Sequence, residues 1–137
     1  RKGTTMTTTI ITAAPAKDSA ISAAWERITA AHAAIVECPA PSDGGLYSPE
    51  EQAQWRINDA AEAEILKAPG NSPADVETKL WVALIHLVED GDAECAILRR
   101  DLGWFGDRDA DMNWSERFIL SAIRSLRAMS AKEGGEV

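Results

Sequence analysis

Five consecutive residues, Pro69-Gly70-Asn71-Ser72-Pro73, most constrain what this chain can become. Proline has no amide hydrogen to give a helix interior and its ring clashes with the preceding turn, so the helical pattern before Pro69 must end there. Gly70 and Asn71 carry the chain round a corner. Ser72 and Pro73 then open a new helix, the hydroxyl accepting an orphan amide and the ring already holding helical φ. A helix end, a corner and a helix start therefore fit between Glu62 and Leu80. The segment is scaffold, and nothing in it is chemistry.

The rest of the chain repeats that logic. It is 45% hydrophobic, largely through alanine, the residue that favours helices most, and the expected class is all-α. Ile21, Ala24, Trp25, Ile28, Ala31 and Ile35 recur at amphipathic spacing, so a first helix is predicted from an Asp18 or Ser19 cap to about Glu37. Pro39, Pro41 and Gly44-Gly45 break it. Ser48-Pro49-Glu50-Glu51 has the form of a capping box and starts a second helix to about Lys67, with Ala53, Ile57, Ala60, Ala61 and Ile65 inward. A third, over 73–90, carries Val76, Leu80, Trp81, Ala83, Leu84, Ile85, Leu87 and Val88. Apolar residues cover most of its circumference, which makes it the expected central helix of about five. Asp92 is expected to cap a fourth helix to about Asp101, with Cys95, Leu98 and Leu102 inward. Asn113-Trp114-Ser115-Glu116 should cap the last, to about Lys132, with Phe118, Ile119, Ala122, Ile123, Leu126 and Met129 inward.

At 137 residues this reads as a single helical domain over 16–132, between an N-terminal extension (1–15) and a C-terminal tail (133–137). Arg1-Lys2 and Ala14-Pro15-Ala16 imitate the ends of a signal peptide, but the stretch between them is mostly threonine. Met6 is therefore taken as the natural start, with residues 1–5 vector-derived, and β-prone Thr7 to Thr12 could pair as a strand with a partner chain. No apolar run reaches the roughly 18–20 residues that span a bilayer, so no membrane association is expected.

The formal charge of −8 leaves no basic surplus to displace counterions, which argues against a nucleic-acid backbone partner. Charge is uneven: 13 acids face three bases between Glu37 and Glu94, whereas five acids face seven bases between Cys95 and Lys132. Arg117, Arg124 and Arg127 share one side of the last helix, either as a solvated face or as a surface that meets an acidic partner or a second copy. Cys38 and Cys95 make no disulfide framework and read as ordinary cytoplasmic thiols.

No constellation spells an activity. Asp107-x-Asp109-x-Asp111-x-Asn113 alternates oxygen ligands as a calcium loop does, but Met112 stands where such a loop needs glycine and Phe118 where the bidentate glutamate belongs. Acids just before a helix N-terminus are favourable without any cation. His32, Cys38, His86 and Cys95 lack the close ligand pairs of structural zinc. The expectation is instead a buried, hydrogen-bonded His86 and a His32 on the polar border of the first helix. Thiol catalysis would need a cysteine beside one of those histidines, and no nucleophile turn supports it. Glu62 and Glu64, two apart, splay round their helix, and Glu89-x-x-Asp92 straddles Gly91. With no phosphate loop, dinucleotide fingerprint or His-Glu-x-x-His, no cofactor is expected.

The five tryptophans carry more signal. Trp25 and Trp81 fit core positions. Trp55, off the main stripe of its helix, and Trp104-Phe105, between glycines, are either lids on a small core or anchors of a contact surface.

Trp55, Glu62-x-Glu64-Ile65, Pro69, Ser72, Val76 and Lys79-Leu80, with Ala30-Ala31-His32-Ala33 upstream, give the chain a resemblance to a loose group of small alphaproteobacterial helical proteins, many from prophage or other mobile regions. It covers roughly residues 18–88. Pro69-Gly70 replaces the group's usual Pro-Ala, and a glycine often found before Lys-Leu is missing. The resemblance implies a mobile-element setting and brings no catalytic residue. The expected function is accordingly a cytoplasmic, non-enzymatic interaction or assembly protein that forms a homodimer, with Trp55, Trp104, Phe105, Arg117, Arg124 and Arg127 at its contacts. One alternative is an acidic inhibitor whose carboxylates mimic DNA. Another is a small metal-dependent hydrolase using Asp107, Asp109, Asp111 and Glu89.

Overall fold

In a computed structural model, which describes residues 19–42 and 44–135, the protein is all-α, with five α-helices and no strand among the described residues. The expected strand at Thr7 to Thr12 lies outside them. The helices are α1 (Ala20–Val36), α2 (Pro49–Lys67), α3 (Pro73–Ile85), α4 (Gly91–Leu98) and α5 (Trp114–Gly135), with 3-10 turns at Leu102–Phe105 and Asp109–Asp111. No helix among the described residues is long and apolar enough to cross a membrane. Two compact units divide the chain, Asp18–Pro69 and the unit that begins at Gly70.

Helix starts follow local chemistry. Ser19, Ser48 and Ser72 each accept the amide hydrogen three residues on, at 2.9, 3.1 and 3.1 Å. Pro49 and Pro73 follow two of these caps. Asn113 and Glu116 exchange both capping bonds, at 2.9 and 3.0 Å. At Ser48 the box is modified, because the Glu51 carboxylate accepts from the Trp55 indole N–H at 3.1 Å.

In the first unit α1 and α2 form an antiparallel hairpin. Ile21, Ala24, Trp25, Ile28 and Ala31 of α1 are buried, as the periodicity predicts. The facing of α2 differs from expectation. Ala61 and Ile65 are buried, but Ala53 and Ala60 are exposed and Ile57 is 44% exposed. The inward position is Asn58, whose Oδ1 lies 3.1 Å from His32 Nε2. Moving the inner face from residue 57 to 58 turns the helix by about 100°, one residue's worth. Asn58 Nδ2 donates to Glu62 at 2.9 Å and to Asp59 at 3.3 Å, so Oδ1 faces the ring and His32 Nε2 carries the hydrogen. Arg27 and Glu64 join the helices at 2.7 Å on the exposed side.

In the second unit α3 packs on both α4 and α5. It ends at Ile85 rather than near Asp90. Glu89, Asp90, Asp92 and Glu94 would oppose the negative C-terminal end of a longer helix, and they suit the N-terminus of α4, where Asp90 rather than Asp92 is the cap. The unit's buried apolar residues are Trp81, Leu84, Ala93, Ala96, Ile97, Phe105, Leu120 and Ile123. Asp75, Glu77 and Thr78 are also buried, so the inner side of α3 is partly polar, while Val76 and Leu87 are 36% and 39% exposed and Ala83 is exposed. His86 is exposed at the end of α3, not buried. Cys95 is exposed too, and Leu98 and Leu102 are only half-buried.

The register of α5 is likewise turned. Phe118 and Met129 are 68% and 53% exposed rather than inward, while Leu120 is buried. The cause lies at Arg127, whose guanidinium reaches Glu77 Oε1 and Oε2 at 3.0–3.3 Å and donates to the Arg100 carbonyl at 3.1 Å. Glu77 also accepts from the Trp81 indole at 2.8 Å. That acceptor draws Arg127 to the inner border and sets the rotation of the helix. Arg100 itself, at φ 53°, closes α4 in a left-handed turn usually given to glycine.

Candidate functional site

The capping box at Asn113–Glu116 fixes where α5 begins, and with it where Trp114 and Phe118 emerge. At about 100° per residue Phe118 lies some 200° round the helix from Leu120, and Trp114 some 240°. Both therefore point away from the buried face, Phe118 at 68% and Trp114 at 71% exposure. One turn apart, their rings stand 6.0 Å from each other at 34°. The Arg117 guanidinium sits 5.2 Å from the Trp114 ring. Two large aromatics and an arginine on one outward face are the residue types that dominate protein interfaces.

The second unit also holds a cleft of about 370 Å³. Leu87, Val88, Met112 and Trp104 supply its apolar wall, and Glu89, Asp90, Asp111 and Glu116 its carboxylates. Asn113 and Glu116 line it from the start of α5, but Glu116 lies some 160° round the helix from both Trp114 and Phe118, and neither ring lines the cleft. Asp90 and Glu116 are engaged as helix caps. Among the described residues the cleft's only base is Arg108, stacked 4.0 Å from the Trp104 ring and hydrogen-bonded to the Trp104 carbonyl. A shallower hollow of about 390 Å³ on the hairpin is lined by Tyr47, Gln52, Trp55, Arg56 and Asp59.

The residues singled out in the sequence do not gather in one place. Trp55 is half-buried, its edge against the His32 ring at 5.4 Å. Trp104 is half-buried in the cleft wall. Phe105 is fully buried, between Trp104 at 4.9 Å and Trp81 at 6.2 Å. The 3-10 turn folds its ring inward, so it packs the core and presents no surface. The three arginines diverge in role: Arg117 lies on Trp114, Arg124 is 3.6 Å from Asp109, and Arg127 turns in to Glu77.

Among the described residues no three His, Cys, Asp or Glu side chains stand close enough to hold a metal ion together. Glu89 and Asp111 share the cleft, whereas Asp107 and Asp109 are not in its lining. Both cysteines are free thiols. Burial of its sulfur, with Glu51 and Glu50 nearby, pushes the Cys38 thiol above its ordinary range, and the thiol donates to the Ala34 carbonyl at 3.3 Å. A raised thiol is a poor nucleophile.

Sequence reasoning misses Trp114 and Phe118 because Phe118 is apolar and sits at the edge of the stripe formed by Ile119, Ala122, Ile123 and Leu126. Anchoring the helix on Leu120 and Ile123 would have found them. No protein-family profile, curated protein sequence or solved structure matches this chain.

Proposed function

We propose that this chain is a non-enzymatic protein-interaction module, of the mobile-element setting its resemblance implies, and that a protein partner docks over Trp114 and Phe118. The observation that supports this is the outward aromatic pair on α5, flanked by Arg117. Exposed rings of this size on adjacent turns keep water-facing apolar surface that association removes. The reading asks nothing of the acids as catalysts.

Photo-crosslinking tests it. Phe118 replaced by p-benzoylphenylalanine should give one discrete protein adduct in the native host, and Trp114→Ala should abolish it. Stability should move by no more than about 0.5 kcal/mol, since both positions are exposed. An adduct of twice the chain mass would identify the partner as a second copy. No adduct, or the same products from a benzoylphenylalanine placed at exposed Ala63, would refute the proposal.

A further inference from the structure

Resting on that reading, we infer that the partner is a second copy of this chain, and that two α5 helices lie antiparallel along the outward stripe Trp114, Phe118, Ser121, Ser125, Ala128 and Lys132. All six residues are exposed. At about 100° per residue they fall within about 40° of Trp114, on the side opposite buried Leu120 and Ile123. Their spacing alternates steps of four and three, the seam along which paired helices mesh. That spacing reads the same from either end. A two-fold axis level with Ile123 therefore sets Phe118 against Ala128, Ser121 against Ser125 and Trp114 against Lys132, and each pair recurs across the axis. The large ring of Phe118 meets a small side chain, and the serines let the two backbones approach. The Lys132 stem covers the Trp114 ring and brings its ammonium to the ring face.

Charge complementarity selects both the occupant and its direction. Arg124 and Asp109, 3.6 Å apart with side chains 38% and 45% exposed, flank the stripe near its midpoint. The axis brings this ion pair beside its twin, so each arginine meets the other copy's aspartate. A parallel pairing would instead set Lys132 against Lys132 and Trp114 against Trp114, and would leave the two Arg124–Asp109 pairs on opposite sides of the seam. The seam is only roughly 27 Å long, so the expected dimer is a modest one, with a Kd on the order of micromolar.

Sedimentation equilibrium of the purified full chain, from about 1 to about 300 μM, tests this. A monomer–dimer equilibrium is expected. Ser121→Asp with Ser125→Asp should weaken it about tenfold or more, because it sets like charges against each other at the axis while both positions stay exposed in the monomer. In the same purified chain, p-benzoylphenylalanine at position 118 should link to Ala128 or Met129 of the second copy. The mass of one chain at every concentration would overturn the inference. So would a dimer indifferent to that double substitution and to Trp114→Ala/Phe118→Ala, or a link to residues 114–118 of the second copy. A chain that stays monomeric, yet still gives a discrete adduct in the host that Trp114→Ala abolishes, would refute the second copy and leave the interaction surface standing. A monomer with no adduct in the host would count against both.

Discussion

The hairpin and the unit that follows it both bury a polar contact where apolar periodicity alone would place a hydrophobe, but the two contacts are of different kinds. In the hairpin, buried Asn58 meets half-buried His32 through one 3.1 Å hydrogen bond. In the second unit, Glu77 with an 11% exposed side chain holds Arg127 through a forked, charged contact, and also serves Trp81. The hairpin contact joins helices adjacent in the chain, 26 residues apart, and the Glu77–Arg127 contact spans 50. A single polar group is thus enough to choose which face of an alanine-rich helix turns inward. The charged version does so with more at stake, because Glu77 left alone is a nearly buried charge.

The largest expected effect follows. Arg127→Ala should destabilise the second unit by about 2 kcal/mol in urea unfolding, a figure below the usual cost of breaking a buried pair because the Arg127 side chain is 40% exposed. Glu77→Gln on that background should recover part of the loss, since glutamine keeps an acceptor for the Trp81 indole and removes the stranded charge. A double-mutant cycle that is additive to within about 0.3 kcal/mol would show that the pair is not coupled.

Asn58→Ala is the corresponding cut in the hairpin and should cost about 1–1.5 kcal/mol, the net worth of a neutral hydrogen bond with some lost packing. His32 is half-buried, so water can take over part of the lost contact. Should Asn58→Ala cost more than Arg127→Ala, the contrast drawn between the two regions would be wrong. Hydrogen exchange locates each effect: the first substitution should expose α5 amides, the second α2 amides.

Capping is weaker and more local. Asn113→Ala should cost about 1 kcal/mol and fray the first turn of α5, because it removes the acceptor for the Glu116 amide. The same change should blur the orientation of Trp114, so crosslinking from position 118 should become less selective. An unchanged helix start by NMR would show that Glu116 alone suffices.

These differences explain what could be read in advance. The caps at Ser48, Ser72 and Asn113 are legible because each is settled within four residues by a hydroxyl or amide and the backbone it meets, while Ser19 is one of two candidates with Asp18 and the α4 cap falls on Asp90 rather than the expected Asp92. Helix facing was not. Ala53, Ile57 and Ala60 form as good a stripe as Asn58, Ala61 and Ile65 until His32 is known to lie opposite, and that is a long-range fact. Phe118 was assigned inward for the same reason, with Arg127 as the missing partner. Of the candidate surface only Arg117 is singled out in the sequence; Trp104 lines the cleft instead, Phe105 is buried, and the cleft joins Leu87 to Met112 in a way no local pattern encodes.

The smallest expected effect compares the thiols of the two regions. Cys38 in the hairpin is half-buried and held above its ordinary pKa by burial and by Glu51 and Glu50, whereas Cys95 on α4 is exposed. Since the thiolate is the reactive form, Cys95 should be alkylated first at pH 8, with Cys38 following only as the pH rises further. The linked stability has a definite sign. A thiol raised in the folded chain favours the protonated form, so its contribution is full below the unfolded-state pKa and fades as pH climbs through the folded value. Mass spectrometry of timed iodoacetamide quenches checks the order. Equal rates for the two cysteines would mean that the α1 C-terminus, where the Cys38 thiol meets the Ala34 carbonyl, opens more readily than the rest of the hairpin suggests.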